Sequence, residues 1–464
     1  MSDIAIVGGG AAGAAVFGEL LRRPRRSGTL HWITGCPSPG VGVAYATGDE
    51  RHLLNVRAAG MGLFAEHRDD FLQHAGRSIG PVSGGDFLPR RVFGDFVQAQ
   101  IQARMMQAHA CGVDFRVHHP RAVSLAGAAH GGYRIVLGDG EALDVDTVVL
   151  ALGALAPRAL KTVSAAALAS PAYVLDPWGE PPPAPAPRRV LVIGTGLTAV
   201  DTIISASTRW PEAALVAVSR HGLLPLQHPA VPVAPYPFQH DLNNALLACD
   251  GAAAMSRLVR EAIADPACAN WRAVIDGMRP INARLWQGLA PAQRRQFLRH
   301  LRWVWEASRH RVAPASADAV QALLATGRLQ VHAARVLAVD GSGPLTVTVR
   351  HRTSQEISAF EADRVVQATG LDTAAAYASE PLLAHLLRSG LAAPDPLQLG
   401  LAACPDGQLL DAQGRPRQGL YGLGALLRGS LWECTAMPEI RAAAHQLAQR
   451  LAPTDEPRDE QTAV

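Results

Sequence analysis

IAIVGGGAAGAAV at residues 4–16 and VLVIGTGLTAVD at residues 190–201 decide how this 464-residue chain folds. In each, a β-branched apolar run meets Gly-x-Gly and passes into a helix-compatible stretch. The small positions are Gly8, Gly10 and Gly13 in the first copy and Gly194, Gly196 and Ala199 in the second. One such fingerprint is weak evidence, because chains rich in alanine and glycine produce it by chance. A strand before it and a helix after it are the context that a dinucleotide cradle requires. The first glycine makes the turn, the second lets backbone approach a pyrophosphate, and the third position must be small so that helix packs on strand. Ala11 and Leu197 open the two helices, whose unpaired N–H groups and partial positive charge then face the phosphates.

The duplication extends further. Asp146 to Gly153 reads DTVVLALG and Asp363 to Gly370 reads DRVVQATG, each an apolar strand ending in glycine. Alternating, hairpin-like segments precede both, Tyr133 to Val145 and Leu345 to Glu361. The expected fold class is α/β, with two Rossmann-like dinucleotide-binding domains (three-layer ββα type) and a helical insertion. Residues 1–165 are assigned to the first part of the first domain and 186–240 to the second domain. The stretch 241–325, where helical periodicity replaces the strand pattern, is the insertion. Residues 326–451 are expected to supply returning strands and the C-terminal part of the first domain, and 452–464 a disordered tail. The proline-rich run from Pro177 to Pro187 is stiff and reads as a linker.

Composition narrows the function. At 48% hydrophobic, 18% charged and net +3, the chain reads as an ordinary globular protein with no pull toward nucleic acid. The apolar stretch Ile4 to Leu21 lacks a basic leader and a cleavage site, and no run reaches a membrane span, so a cytoplasmic protein without membrane contact is expected. Six scattered cysteines include no C-x-x-C pair, which argues against zinc and against a redox-active dithiol. Lys161 is the only lysine, so an arginine at any one position carries little information by itself.

Several motifs together resemble the bacterial FAD/NAD(P)-binding oxidoreductases, distant relatives of flavin monooxygenases and N-hydroxylating monooxygenases. They are the two fingerprints, Gly40 to Tyr45, His52 to Val56, Pro89 to Arg91, Ser219 to Pro225, Arg309 to Arg311, Arg428 to Glu433 and Met437 to Arg441. The resemblance implies FAD on the first fingerprint and NADH or NADPH on the second. It sets Asn55 near the isoalloxazine edge, Gly153 at the end of its strand, and Gly424 on the segment that approaches the flavin. Thr34 stands where an acid usually holds the ribose, and offers a weaker contact. Arg220 and His221 follow the second strand of the second unit, where a 2′-phosphate is gripped in NADP enzymes.

The implied activity is that of an NAD(P)H-consuming monooxygenase using molecular oxygen, through a flavin C4a-hydroperoxide, on a small nitrogen-containing substrate. Urate hydroxylation to 5-hydroxyisourate is the first candidate. N-hydroxylation of an amine or amino acid is the alternative, and a non-catalytic nucleotide-binding redox sensor a third reading. Arg279, Arg309 and His310 are candidate catalytic residues beside Trp432, since a guanidinium fork and an indole face suit a planar anion. Arg311 and Trp286 offer the same residue types. No motif sets an oligomeric state.

Overall fold

The computed structural model describes residues 3–23, 28–128, 131–179, 185–370 and 372–453. Most of the expected disordered tail and the centre of the proline-rich linker lie outside the described residues.

Two sheets, each with a parallel centre and antiparallel strands at one edge, form the body. In the first, the fingerprint strand Ile4–Val7 lies between Leu30–Ile33 and Thr147–Leu150, with Ile4 in register with both Leu30 and Thr147. Phe115–His118 extends one edge, and Pro416–Gly422 followed by Gln408–Leu410 extends the other. In the second, Arg189–Ile193 lies between Ala214–Ser219 and Arg364–Gln367 in the same way. All four residues of Ile4–Val7 are buried, the signature of a central parallel strand covered on both faces. A three-stranded antiparallel layer, Ala122–Gly127, Tyr133–Leu137 and Ala142–Val145, caps the first unit.

The strands at 329–367 correct the sequence assignment. Leu329–Asp340 pairs in parallel with Ala214–Ser219, and its far half pairs antiparallel with Leu345–His351. Together with Ile357–Ala362 and Arg364–Gln367 these strands complete the second sheet rather than rejoining the first. The return to the first unit comes later, with Gln408–Leu410, Pro416–Gly422 and the helix Met437–Leu451.

The region 241–325 is helical throughout its elements, but it serves two purposes. The helices from Gln239–Ala248 to Arg302–Arg309 build their own core around Leu242, Leu246, Val274, Met278 and Leu285. The last helix, Pro314–Ala325, instead buries Val320 and Leu323 in the core of the second unit. It is the crossover that a parallel connection needs before Leu329–Asp340. Among the described residues no helix is long and apolar enough to cross a membrane.

Candidate active site

The two fingerprints fold into matching cradles. Gly8 and Gly194 both hold φ +133°, and an added Cβ would lie 2.2 Å from the Ala151 carbonyl oxygen in one and 2.1 Å from that of Ala368 in the other. A Cβ on Gly13 would meet the Gly8 oxygen at 2.0 Å, so helix and turn touch there. Ala199, its counterpart, is fully buried. The approach positions are open: a Cβ added to Gly196 would meet nothing within 4 Å, and one added to Gly10 only the Gly42 Cα at 3.7 Å. Neither Ala11–Leu21 nor Leu197–Arg209 has a side-chain N-cap or an acid in its first turn. Their first N–H groups therefore stay available to an anion, which is the chemistry a pyrophosphate needs. Trp32, to which no sequence motif points, stiffens the first turn by donating its indole N–H to the Gly8 carbonyl at 3.0 Å and stacking on Phe17.

The Thr34 hydroxyl is engaged by local backbone. It lies 2.8 Å from the Cys36 carbonyl and 3.1 Å from that of His118, and the residue is 6% exposed. In the second unit Ser219 bonds Thr195 at 2.8 Å and accepts from the Gly222 amide at 3.0 Å, tying the end of the second strand to the fingerprint. Arg220 is exposed beyond it. His221 stacks nearly coplanar on Trp303 at 4.4 Å; burial, with the Arg352 and Arg220 guanidiniums nearby, holds its imidazole below the ordinary range. Arg352, from the turn after Leu345–His351, is a second cation at this end.

The C-terminal segment closes on the first cradle. Gly424, at φ +77°, faces the start of the fingerprint helix, where a Cβ added to it would lie 3.8 Å from the Ala12 Cβ. The buried Cys434 thiol reaches the Gly424 carbonyl at 3.2 Å and folds the segment back on itself. Gly153 ends its strand at φ +69° with open space beside it, and Gly370 mirrors it at +85°. The Asn55 carbonyl lies 3.1 Å from Nε2 of His228, whose imidazole burial and the Arg311 guanidinium push down to about 4.

The four candidate catalytic residues gather along one seam, between the helical layer and residues 428–439, where protein groups already hold them. Arg279 is bidentate on Glu439, at 2.5 and 2.7 Å. Arg309 and His310 each stand 3.3 Å from Glu433, which also accepts the Trp305 indole N–H at 2.9 Å. Burial pushes the Glu433 carboxyl up, but the His310 hydrogen bond and the charges of His310 and Arg309 outweigh it and hold the group at about 2. Trp432, at φ +59°, packs its ring between Trp286 at 4.9 Å and the Arg428 guanidinium at 4.7 Å. Arg311 is 2% exposed and bonded to Asp276. Among the described residues no group of His, Cys, Asp or Glu is placed to hold a metal.

Residues 5–155 match the family described as FAD-NAD(P)-binding. Among curated proteins no sequence matches the chain. Solved structures with the same fold include the ornithine N-hydroxylase of Kutzneria sp. 744, at 16% identity over 97% of this chain and 99% of that one, TM-score 0.64. L-lysine 6-monooxygenase from Pseudomonas syringae matches at 17% identity over 98% and 100% of the two chains, TM-score 0.64. The FAD-bound cadaverine monooxygenase of desferrioxamine biosynthesis from Erwinia amylovora matches at 11% identity over 100% and 98%, TM-score 0.58. The match to the FAD-NAD(P)-binding family thus covers the unit around the first cradle, residues 5–155, and the likeness of fold runs over nearly the whole chain.

Proposed function

We propose that the chain is an FAD-dependent, NAD(P)H-consuming monooxygenase that hydroxylates the nitrogen of a small amine or amino acid. The observation that supports it most is the extent of the structural likeness: an ornithine N-hydroxylase, an L-lysine 6-monooxygenase and a cadaverine monooxygenase align over 97 to 100% of this chain. Urate hydroxylation, the first expectation, has no counterpart among these neighbours and gives way to the alternative.

FAD, when bound and reduced by NAD(P)H, supplies the activated oxygen. The protein's own contribution is to bind, orient and exclude water. The helix Ala11–Leu21 would hold the flavin nucleotide's pyrophosphate and Leu197–Arg209 that of the nicotinamide, with Arg220 and Arg352 placed for a 2′-phosphate. Glu433 and Glu439, each locked to arginine, fasten the segment carrying Gly424 against the helical layer and keep the seam dry, which an oxygen-activating site needs. Glu433, ionised throughout the neutral range, is an anchor there and not a proton donor.

The test is purified flavoprotein with NADPH or NADH, oxygen, and ornithine, lysine, cadaverine or urate in turn, assayed for hydroxylamine product and for 5-hydroxyisourate. Amine-stimulated hydroxylamine formation supports the proposal. Urate turnover, or reductant consumption that no amine changes, overturns it.

A further inference from the structure

The fingerprint helix of the second unit is fastened to the first unit by a cluster of polar side chains. Asp201 and Ser205 lie one turn apart on Leu197–Arg209 and so share a face. Both reach across to the other unit. Arg90 Nη2 stands 2.7 Å from Asp201 Oδ2, with side chains 14% and 7% exposed. Ser205 donates to Asp49 at 2.7 Å, and its oxygen lies 2.8 Å from His52 Nε2, while His52 Nδ1 meets the Thr47 hydroxyl at 2.7 Å. Arg90 is itself anchored, since its amide donates to the His52 carbonyl at 2.9 Å and its Nε to that of Leu53 at 3.2 Å. Trp178 covers the group, with the Arg90 guanidinium 5.4 Å over its ring and His52 edge-on at 5.7 Å.

The position of this cluster gives it meaning. Arg90 opens the helix Arg90–Ala110, whose Val92, Phe93, Phe96 and Val97 share a core with Ala14, Ala15 and Phe17 of the first fingerprint helix. One ion pair and one intervening helix therefore join the two helices whose N-termini form the two cradles. A buried ion pair adds little net stability, because desolvation consumes most of its attraction, but it fixes geometry strictly.

We propose that Arg90–Asp201, seconded by His52, Ser205 and Asp49, is a positioning clamp that holds the two cradles in the orientation at which hydride crosses between their ligands. This rests on the function proposed above. In that step C4 of the dihydronicotinamide loses a hydride, one proton with two electrons, to N5 of the flavin; the nicotinamide is oxidised and the flavin reduced. In this reading no clamp residue takes part in the transfer itself. Their effect is on alignment, where a displacement of about 1 Å can cost on the order of 100-fold in rate.

The variants are Arg90→Met/Asp201→Leu, which removes both charges together and avoids a lone buried ion, and Ser205→Ala, which keeps the ion pair and loosens the second contact. Anaerobic stopped-flow reduction by NAD(P)H is read beside coenzyme Kd, flavin content and reoxidation of dithionite-reduced enzyme. The double variant is expected to slow flavin reduction at least about tenfold with Kd, flavin content and reoxidation unchanged, and Ser205→Ala to fall between it and the parent. Small-angle scattering on the same proteins should show a larger radius of gyration in the double variant, from freer movement between the units. Unchanged reduction with unchanged scattering overturns the clamp. If NAD(P)H fails to reduce the parent flavin, the function proposed above falls, while scattering still decides whether the clamp holds the units.

Discussion

Gly8 and Gly194 sit at a φ of +133° with a carbonyl oxygen where a side chain would begin, and that requirement is local enough to be read from sequence. Gly196 differs, because its surroundings are open and its constraint comes only from an incoming phosphate. Gly194→Ala is therefore expected to destabilise the second unit by about 2 kcal/mol or more, through backbone strain and overlap with Ala368. Gly196→Ala should leave unfolding within about 0.5 kcal/mol of the parent while weakening NAD(P)H binding roughly tenfold, as one lost phosphate contact would. Urea unfolding and coenzyme titration separate the two. The arginines are less legible for one reason: their partners are remote. Nothing near Arg279 announces Glu439, 160 residues away. His228 stands in no motif at all, and it carries a pH dependence. Its imidazole is held at about 4, below the 6.5 of an unfolded chain, so the unfolded state takes up the proton first. Its stabilising contribution is complete above about pH 6.5 and is lost as pH falls toward 4. His228→Gln should flatten that part of the stability profile, measured by thermal unfolding between pH 7 and 4.

At the scale of elements, periodicity finds the strands and helices but not their neighbours. Leu329–Asp340 reads as an amphipathic strand wherever it is placed; its pairing with Ala214–Ser219 in one half and Leu345–His351 in the other is a tertiary fact. Likewise Pro314–Ala325 shows the same helical pattern as the insertion before it, and only its burial against Val200 and Ile203 of the second core marks it as a crossover. The helical layer meets the C-terminal segment through Trp286, Phe297 and Trp432, with the Trp286 indole N–H on the Gly429 carbonyl at 2.7 Å. The Trp432 ring lies between Trp286 and the Arg428 guanidinium, which makes it a packed side chain of this seam. Trp432→Ala should cost about 3–5 kcal/mol, and Trp432→Phe should restore most of it. A substrate-stacking role would give a different pattern, with a raised KM and unchanged stability in the alanine variant.

At the scale of the molecule, the duplication visible in two glycine motifs hides an asymmetry in connectivity. Every strand of the second sheet comes from one continuous stretch, 173–367, and its crossover helix lies within it. The first sheet is split: Pro416–Gly422 pairs with Thr147–Leu150 across the whole second unit, and Met437–Leu451 buries Ile440, Ala444 and Leu447 in the same core as Ala15, Val16 and Leu20. Cut off at residue 155, the first unit would expose the face of Ala11–Leu21 that carries Ala15, Val16 and Leu20, and leave the Thr147–Leu150 edge unpaired, both routes to aggregation. A fragment spanning residues 155–372 keeps its sheet, its fingerprint and its crossover, and loses the seam at Trp286 together with the Arg90, Asp49, His52 and Asn55 contacts from the first unit. It is expected to be soluble, to unfold cooperatively, and to gain stability on adding NAD(P)H, by about 2.7 kcal/mol at a hundred times Kd. The fragment 1–155 is expected to be insoluble or to lack cooperative unfolding even with FAD present. A well-folded 1–155 that binds FAD would show that the returning strand and helix are accessories to the first unit.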